Sequence, residues 1–143
     1  MIKKFSLYVL IGLLYSSASY AIPNSAQYLK CMEKEATDIG TAKCYENEIK
    51  YFEKIAEGKL KEIKNWDKYA HLVKSKEYNI DEQYKAFQEF LDGFCKYYVK
   101  AKHGQGYSDR YLEADCKIGY VQMFAGYLNG VIDKGANTCG EGE

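Results

Sequence analysis

The sequence predicts an all-α protein: a small bundle of about four helices, stapled by disulfides, behind an N-terminal export segment. Three observations carry this. Pro23 is the one proline in 143 residues, so long stretches run uninterrupted with apolar residues at the three- and four-residue spacing of a helix face. All five cysteines, Cys31, Cys44, Cys95, Cys116 and Cys139, fall after the first 21 residues. Those first residues have the make-up of a secretory signal.

The opening "MIKKFSLYVLIGLLYSSASYA" sets Lys3 and Lys4 before an apolar run from Phe5 to Leu14 and closes on a Ser-Tyr-Ala triplet at Ala21. About ten apolar residues are half of the roughly twenty that a bilayer crossing needs. A cleaved signal over residues 1–21 is therefore expected, not a membrane anchor. The first cysteine beyond it is Cys31, too far along for a lipid attachment at the new terminus. Residues 22–143 then form a single domain, ending in the short, flexible, glycine-rich tail "GANTCGEGE". The expected destination is the periplasm or the medium.

Lysine and arginine number 20 against 20 aspartate and glutamate, and loss of Lys3 and Lys4 leaves 18 against 20. A near-neutral, interspersed charge gives no purchase on nucleic acid or an anionic membrane surface.

The first helix is expected over about Ser25 to Thr37, turning at "DIGT", with Gly40 as a left-handed cap and Thr41 capping the next helix. The second carries Ile49, Phe52, Ala56, Leu60, Ile63 and Trp66 as one stripe and extends toward Val73. In the third, Tyr84, Phe87, Leu91, Phe94 and Tyr98 share a face, with Phe90 and Cys95 on its flank. "KHGQGYSD" breaks that helix and offers a serine or aspartate to cap the fourth. The fourth presents Cys116, Tyr120, Met123, Phe124, Tyr127, Leu128, Val131 and Ile132 toward the core.

In an oxidising compartment the cysteines read as disulfides. Metal is not expected, because no C-x-x-C or H-x-x-x-H spacing occurs. Cys31 and Cys44 flank the first turn, and Cys95 and Cys116 stand at the ends of two stripes that a glycine loop folds together. Pairing neighbours in this way closes the smallest loops, and a loop of about twenty residues is worth roughly 3 kcal/mol. Cys139 is left over, free or able to join two chains as a disulfide-linked dimer.

Catalytic signals are sparse. His71 and His103 belong to no nucleophile elbow or phosphate loop, and carboxylates scattered on amphipathic helices are ordinarily solvated, so neither an enzyme nor a cofactor is expected. Fifteen tyrosines are more telling. Tyr84, Tyr120 and Tyr127 fit the stripes with their hydroxyls at the rim. Around the glycine loop, Lys102, His103, Tyr107, Arg110 and Tyr111 are candidates for contact with a protein partner.

The succession "CMEKEATDIGTAKC", a charged helix, "KAFQEFLDGFC", "HGQGYSD" and "CKIGYVQMFAGYL" resembles the LprI-like lysozyme-inhibitor family from about Tyr28 to Leu128. Phe87 and Phe90 stand where that family has a Trp and a Tyr. Asp92 matches its acidic residue, Cys95 and Cys116 match its cysteines, and Thr37 and Cys44 fit its first half. Leu91 replaces an arginine, "FEKIAE" departs from the family's Asp-x-x-Leu-Asn pattern, and an arginine of the last helix is missing. The resemblance implies an exported, non-enzymatic inhibitor of a lysozyme-like cell-wall hydrolase, belonging to a host or a rival. A different class, a secreted helical carrier of a small apolar ligand, would require a cavity between the aromatic stripes.

Overall fold

The computed structural model describes residues 22–65 and 79–135, with side chains to residue 130. Four helices are present among them: α1 (Ala26–Met32), α2 (Asp38–Lys64), α3 (Ile80–Lys102) and α4 (Asp109–Gly135), with no strand. The expected signal segment lies outside the described residues. So do Trp66, the extension toward Val73, His71 and Cys139, as well as the side chains of Val131 and Ile132.

Each helix start has a local chemical cause. Ser25 accepts from the Tyr28 amide at the start of α1, and Ser108 accepts from the Tyr111 amide as α4 begins, each satisfying an otherwise orphaned donor. Asn79 serves α3, taking the amides of Asp81 and Glu82. The boundary between α1 and α2 differs from the sequence expectation. The turn falls at residues 33–37, Thr37 is the cap, and its Oγ1 accepts from the Gly40 amide at 3.1 Å. Gly40 lies inside the first turn of α2, not in a left-handed cap. The Glu35 carboxylate lies in the space a Cβ would fill there, at the end of an exposed side chain that is free to swing away.

The most extensive contact is between α2 and α4. From α2, Ile49, Phe52, Ala56, Leu60 and Ile63 are buried, as their spacing predicts, and Val121, Ala125 and Leu128 meet them from α4. The stripe predicted for α4 is rotated: Met123 and Tyr127 face outward while Val121 and Ala125 face in. Small Ala125 takes the buried position beside Val121, and the bulkier Met123 and Tyr127 are left to solvent. On α3 only Leu91 and Cys95 are buried. Tyr84 and Phe87 are half-buried, and both stack on Phe124, Phe87 at 4.3 Å between centroids. Phe94, predicted to share this face, is exposed with Phe90.

Two disulfides fix the arrangement, Cys31–Cys44 between α1 and α2 and Cys95–Cys116 between α3 and α4, each with a Cα separation of 5.7 Å. The N-terminal end is also secured by polar contacts. Glu48, 1% exposed, accepts from the Ser25 amide at 2.7 Å and from its hydroxyl at 2.5 Å. Gln122 Nε2 donates to the Ile22 carbonyl at 2.9 Å, bringing the first described residue against the core. Among the described residues no helix is long and apolar enough to cross a membrane.

Phe52 fills the centre of the α2–α4 seam, so Phe52→Ala is expected to cost about 3–5 kcal/mol, whereas Phe90→Ala on the outer side of α3 is expected to cost under about 1 kcal/mol. Urea melts of both variants check the assignment. An equal loss in the two would contradict the outward placement of Phe90.

Candidate partner-contact site

The loop between α3 and α4 is built by glycine. Gly104 and Gly106 have φ of 86° and 91°, a left-handed conformation that L side chains rarely adopt. Their two bends reverse the chain between helices that the Cys95–Cys116 bridge holds together. The loop's base is closed by His103, whose Nδ1 lies 3.0 Å from Asp109 Oδ1.

Four tyrosines run in a ladder from this loop across the end of the bundle. Tyr107 stacks on Tyr111 at 5.2 Å, Tyr111 meets Tyr45 of α2 at 5.8 Å, and Tyr45 stacks on Tyr28 of α1 at 6.1 Å. Tyr107 is the exposed rung, while Tyr28, Tyr45 and Tyr111 are half-buried. Partial burial and the hydrogen bond that Tyr111 donates to Tyr45 push the Tyr111 phenol up to about 12. Asp115 lies close enough to influence three of the rungs, and desolvation raises its own pKa.

The five predicted contact residues are brought to one end of the molecule but differ in character. Tyr107 and His103 are exposed, Tyr111 is an inner rung, and Lys102 is half-buried at the end of α3. Arg110 is already engaged: its Nε and Nη2 each donate at 2.6 Å to the Glu46 carboxylate, holding that carboxyl below its ordinary range. With Arg110 held by Glu46 and His103 by Asp109, the loop presents an aromatic ring more than a free cation. Tyr28 and Tyr45 complete the site and were missed, because i→i+66 proximity leaves no trace in local spacing.

Beside the ladder, a cleft of about 300 Å³ separates α2 from α4, lined by Glu46, Lys50, Glu53, Arg110, Glu113 and Lys117 over Ile49 and Ala114. Lys117 crosses to Asp92 of α3 at 2.6 Å and to Glu113 at 2.9 Å. Burial, then the neighbouring Glu57, raises the Glu53 carboxyl. A second cleft, of about 270 Å³, lies beside Glu48 and the Cys31–Cys44 bridge. The second is polar-walled, and the first sets charged side chains around an apolar floor; neither is walled mainly by aromatic rings. Among the described residues no group of three or more His, Cys, Asp or Glu could hold a metal.

No protein-family model, no curated protein and no solved structure matches the chain.

The folded state favours the protonated Tyr111 phenol, so its contribution to stability is complete below the ordinary value of 10.0 and is lost as pH rises from there toward about 12. Tyr45→Phe removes the acceptor. It should lower the late-titrating phenol only in part, because burial is the larger cause, and cost about 1 kcal/mol at neutral pH. Absorbance titration of the phenolates reads the first effect and thermal melts the second. A late phenol that survives the substitution unchanged would remove the Tyr111–Tyr45 hydrogen bond from the account.

Proposed function

We propose that the chain is an exported, non-enzymatic binding protein of the LprI-like kind that blocks a lysozyme-like cell-wall hydrolase, with the α3–α4 loop as its contact. The observation that carries the reading is Tyr107: an exposed ring at a loop crest, stacked on Tyr111 and the ladder behind it, on a loop set between two bridged helices. A ring held in place before binding gives up little conformational freedom on binding, and that is where a small inhibitor gains affinity. Tyrosine is also among the residues that dominate protein interfaces.

The target class follows from the family resemblance and from shape. A glycosidase offers a cleft flanked by two carboxylates, and the exposed Tyr107 phenol on a two-glycine loop is a hydrogen-bond donor suited to such a cleft. Exposed Lys100, one turn before the loop, adds a cation on the approach side. The two bridges, and the absence of a membrane-crossing helix among the described residues, suit a protein acting outside the cytoplasm.

A muramidase assay on the chain from Ile22 onward tests this. The parent should slow cell-wall hydrolysis, Tyr107→Ala should weaken inhibition about tenfold or more, and Arg110→Ala should matter less because its guanidinium is committed to Glu46. No inhibition by the parent across several lysozymes rejects the target. Equal inhibition by the parent and Tyr107→Ala rejects the loop.

A further inference from the structure

The two disulfides lie in different surroundings. Cys95 is fully buried in the central apolar cluster with Leu91 and Val121, and Cys116 packs against the same cluster. Neither Cys31 nor Cys44 belongs to it. Both instead line the second cleft, about 270 Å³ of polar space that also touches Ser25, Asn47 and Glu48. Cys31 is half-exposed, and so is Cys116, so exposure of one cysteine does not separate the bridges. What separates them is what must move before a thiol reaches the bond, since access sets the rate of exchange. The Cys95–Cys116 bond is covered by α3, whose lifting would uncover Leu91 and part Phe87 from Phe124. The Cys31–Cys44 bond is covered only by α1 on the side away from the core, and it opens on a cleft.

α1 is also the element with least to lose. It buries no residue of its own, and at seven residues it is too short to persist unsupported in water. Ser25 on Glu48 secures the segment before it. The helix body is kept against α2 by the bridge near its end and by Tyr28 stacked on Tyr45 at 6.1 Å. Without the bridge, one partly exposed ring contact is left to order it. The core between α2, α3 and α4 loses nothing when that bond opens, because Phe52, Leu60, Leu91 and Leu128 lie in the cluster that the second bridge closes. Segments with few buried contacts open at a small fraction of the global unfolding free energy.

We propose that Cys31–Cys44 is a redox-sensitive latch: a dithiol reduces it ahead of Cys95–Cys116, and its opening releases α1 from the tyrosine ladder while the α2–α4 bundle stays folded. One thiolate of the dithiol attacks the Cys31 Sγ, the S–S bond breaks, and Cys44 leaves as a thiolate. The second thiolate of the dithiol then attacks its own sulfur in the mixed disulfide and expels Cys31. The dithiol ends as a disulfide, its two protons end on Cys31 and Cys44, and two electrons have passed to the protein. Tyr28 goes with α1, so Tyr45 and Tyr111 become the end of the ladder. This inference stands on the fold alone and is independent of any hydrolase target.

The full chain carrying Cys139→Ser, which removes a third exchanging thiol, is incubated oxidised with increasing dithiothreitol and no denaturant. Free thiols are alkylated at each step and the peptides mapped, and amide exchange is followed by mass spectrometry. Over a range of dithiothreitol, Cys31 and Cys44 should be alkylated while Cys95 and Cys116 remain linked. In that range the amides of residues 26–32 should exchange about tenfold faster or more, with those of 49–60 and 121–128 unchanged. Cys31→Ser with Cys44→Ser should show the same exchange pattern without dithiothreitol. Reduction of Cys95–Cys116 first, or of both bridges together, overturns the proposal. So does a reduced Cys31–Cys44 pair whose α1 amides exchange no faster than before.

Discussion

Of the 23 residues in α3 only Leu91 and Cys95 are buried, so the Cys95–Cys116 bond is the constraint on which this half of the molecule depends. A helix with so narrow a buried edge gains little from the hydrophobic effect, on the order of 25 cal/mol for each Å² removed from water. The covalent link acts differently. It shortens the open chain between α3 and α4 in the unfolded state, and so lowers the entropy that must be surrendered when the two helices meet. The Phe87–Phe124 stack and the Lys117–Asp92 ion pair then orient α3 around that link. The two-glycine reversal that follows, and with it Tyr107 and Tyr111, lies between the two bridged helices.

The other end is held by polar chemistry. Glu48 is buried in α2 yet both of its oxygens are occupied by Ser25, which converts a costly buried carboxylate into a tether for the segment before α1. The same serine caps α1 through its hydroxyl. With the Cys31–Cys44 bridge a few residues on, a seven-residue helix with no buried residue of its own is given a defined place. Such a helix would not persist alone in water.

Much of this was legible in the sequence. The all-α class, the α2 stripe from Ile49 to Ile63, both disulfides and the glycine loop follow from spacing, single-proline composition and loop length. The failures have physical causes. Periodicity placed Phe94 inward because 84, 87, 91, 94 and 98 form an unbroken stripe, but the bridge draws Cys95 to the centre and turns Phe94 and Phe90 out. At "DIGT" the glycine suggested a helix end, whereas Thr37, with a better capping oxygen, begins the helix before it. Glu48 resembles every other glutamate on a charged helix. Its burial depends on a serine 23 residues away, as Arg110's neutralisation depends on a glutamate 64 residues away, and no local pattern encodes either.

The hydrogen bond from Gln122 to the Ile22 carbonyl spans 100 residues, and it orders events in time. A chain that emerges from its amino end exposes Ser25, Cys31 and Cys44 long before residue 122 exists outside the exit channel. The α1–α2 hairpin can therefore close and oxidise early, with Glu48 already seated on Ser25, while the stretch ahead of it waits. Only when the last helix arrives does the Ile22 carbonyl find its donor, so this early segment is among the last to settle. Docking of the segment before α1 is in this sense a completion signal, reporting that α4 has reached its place against α2.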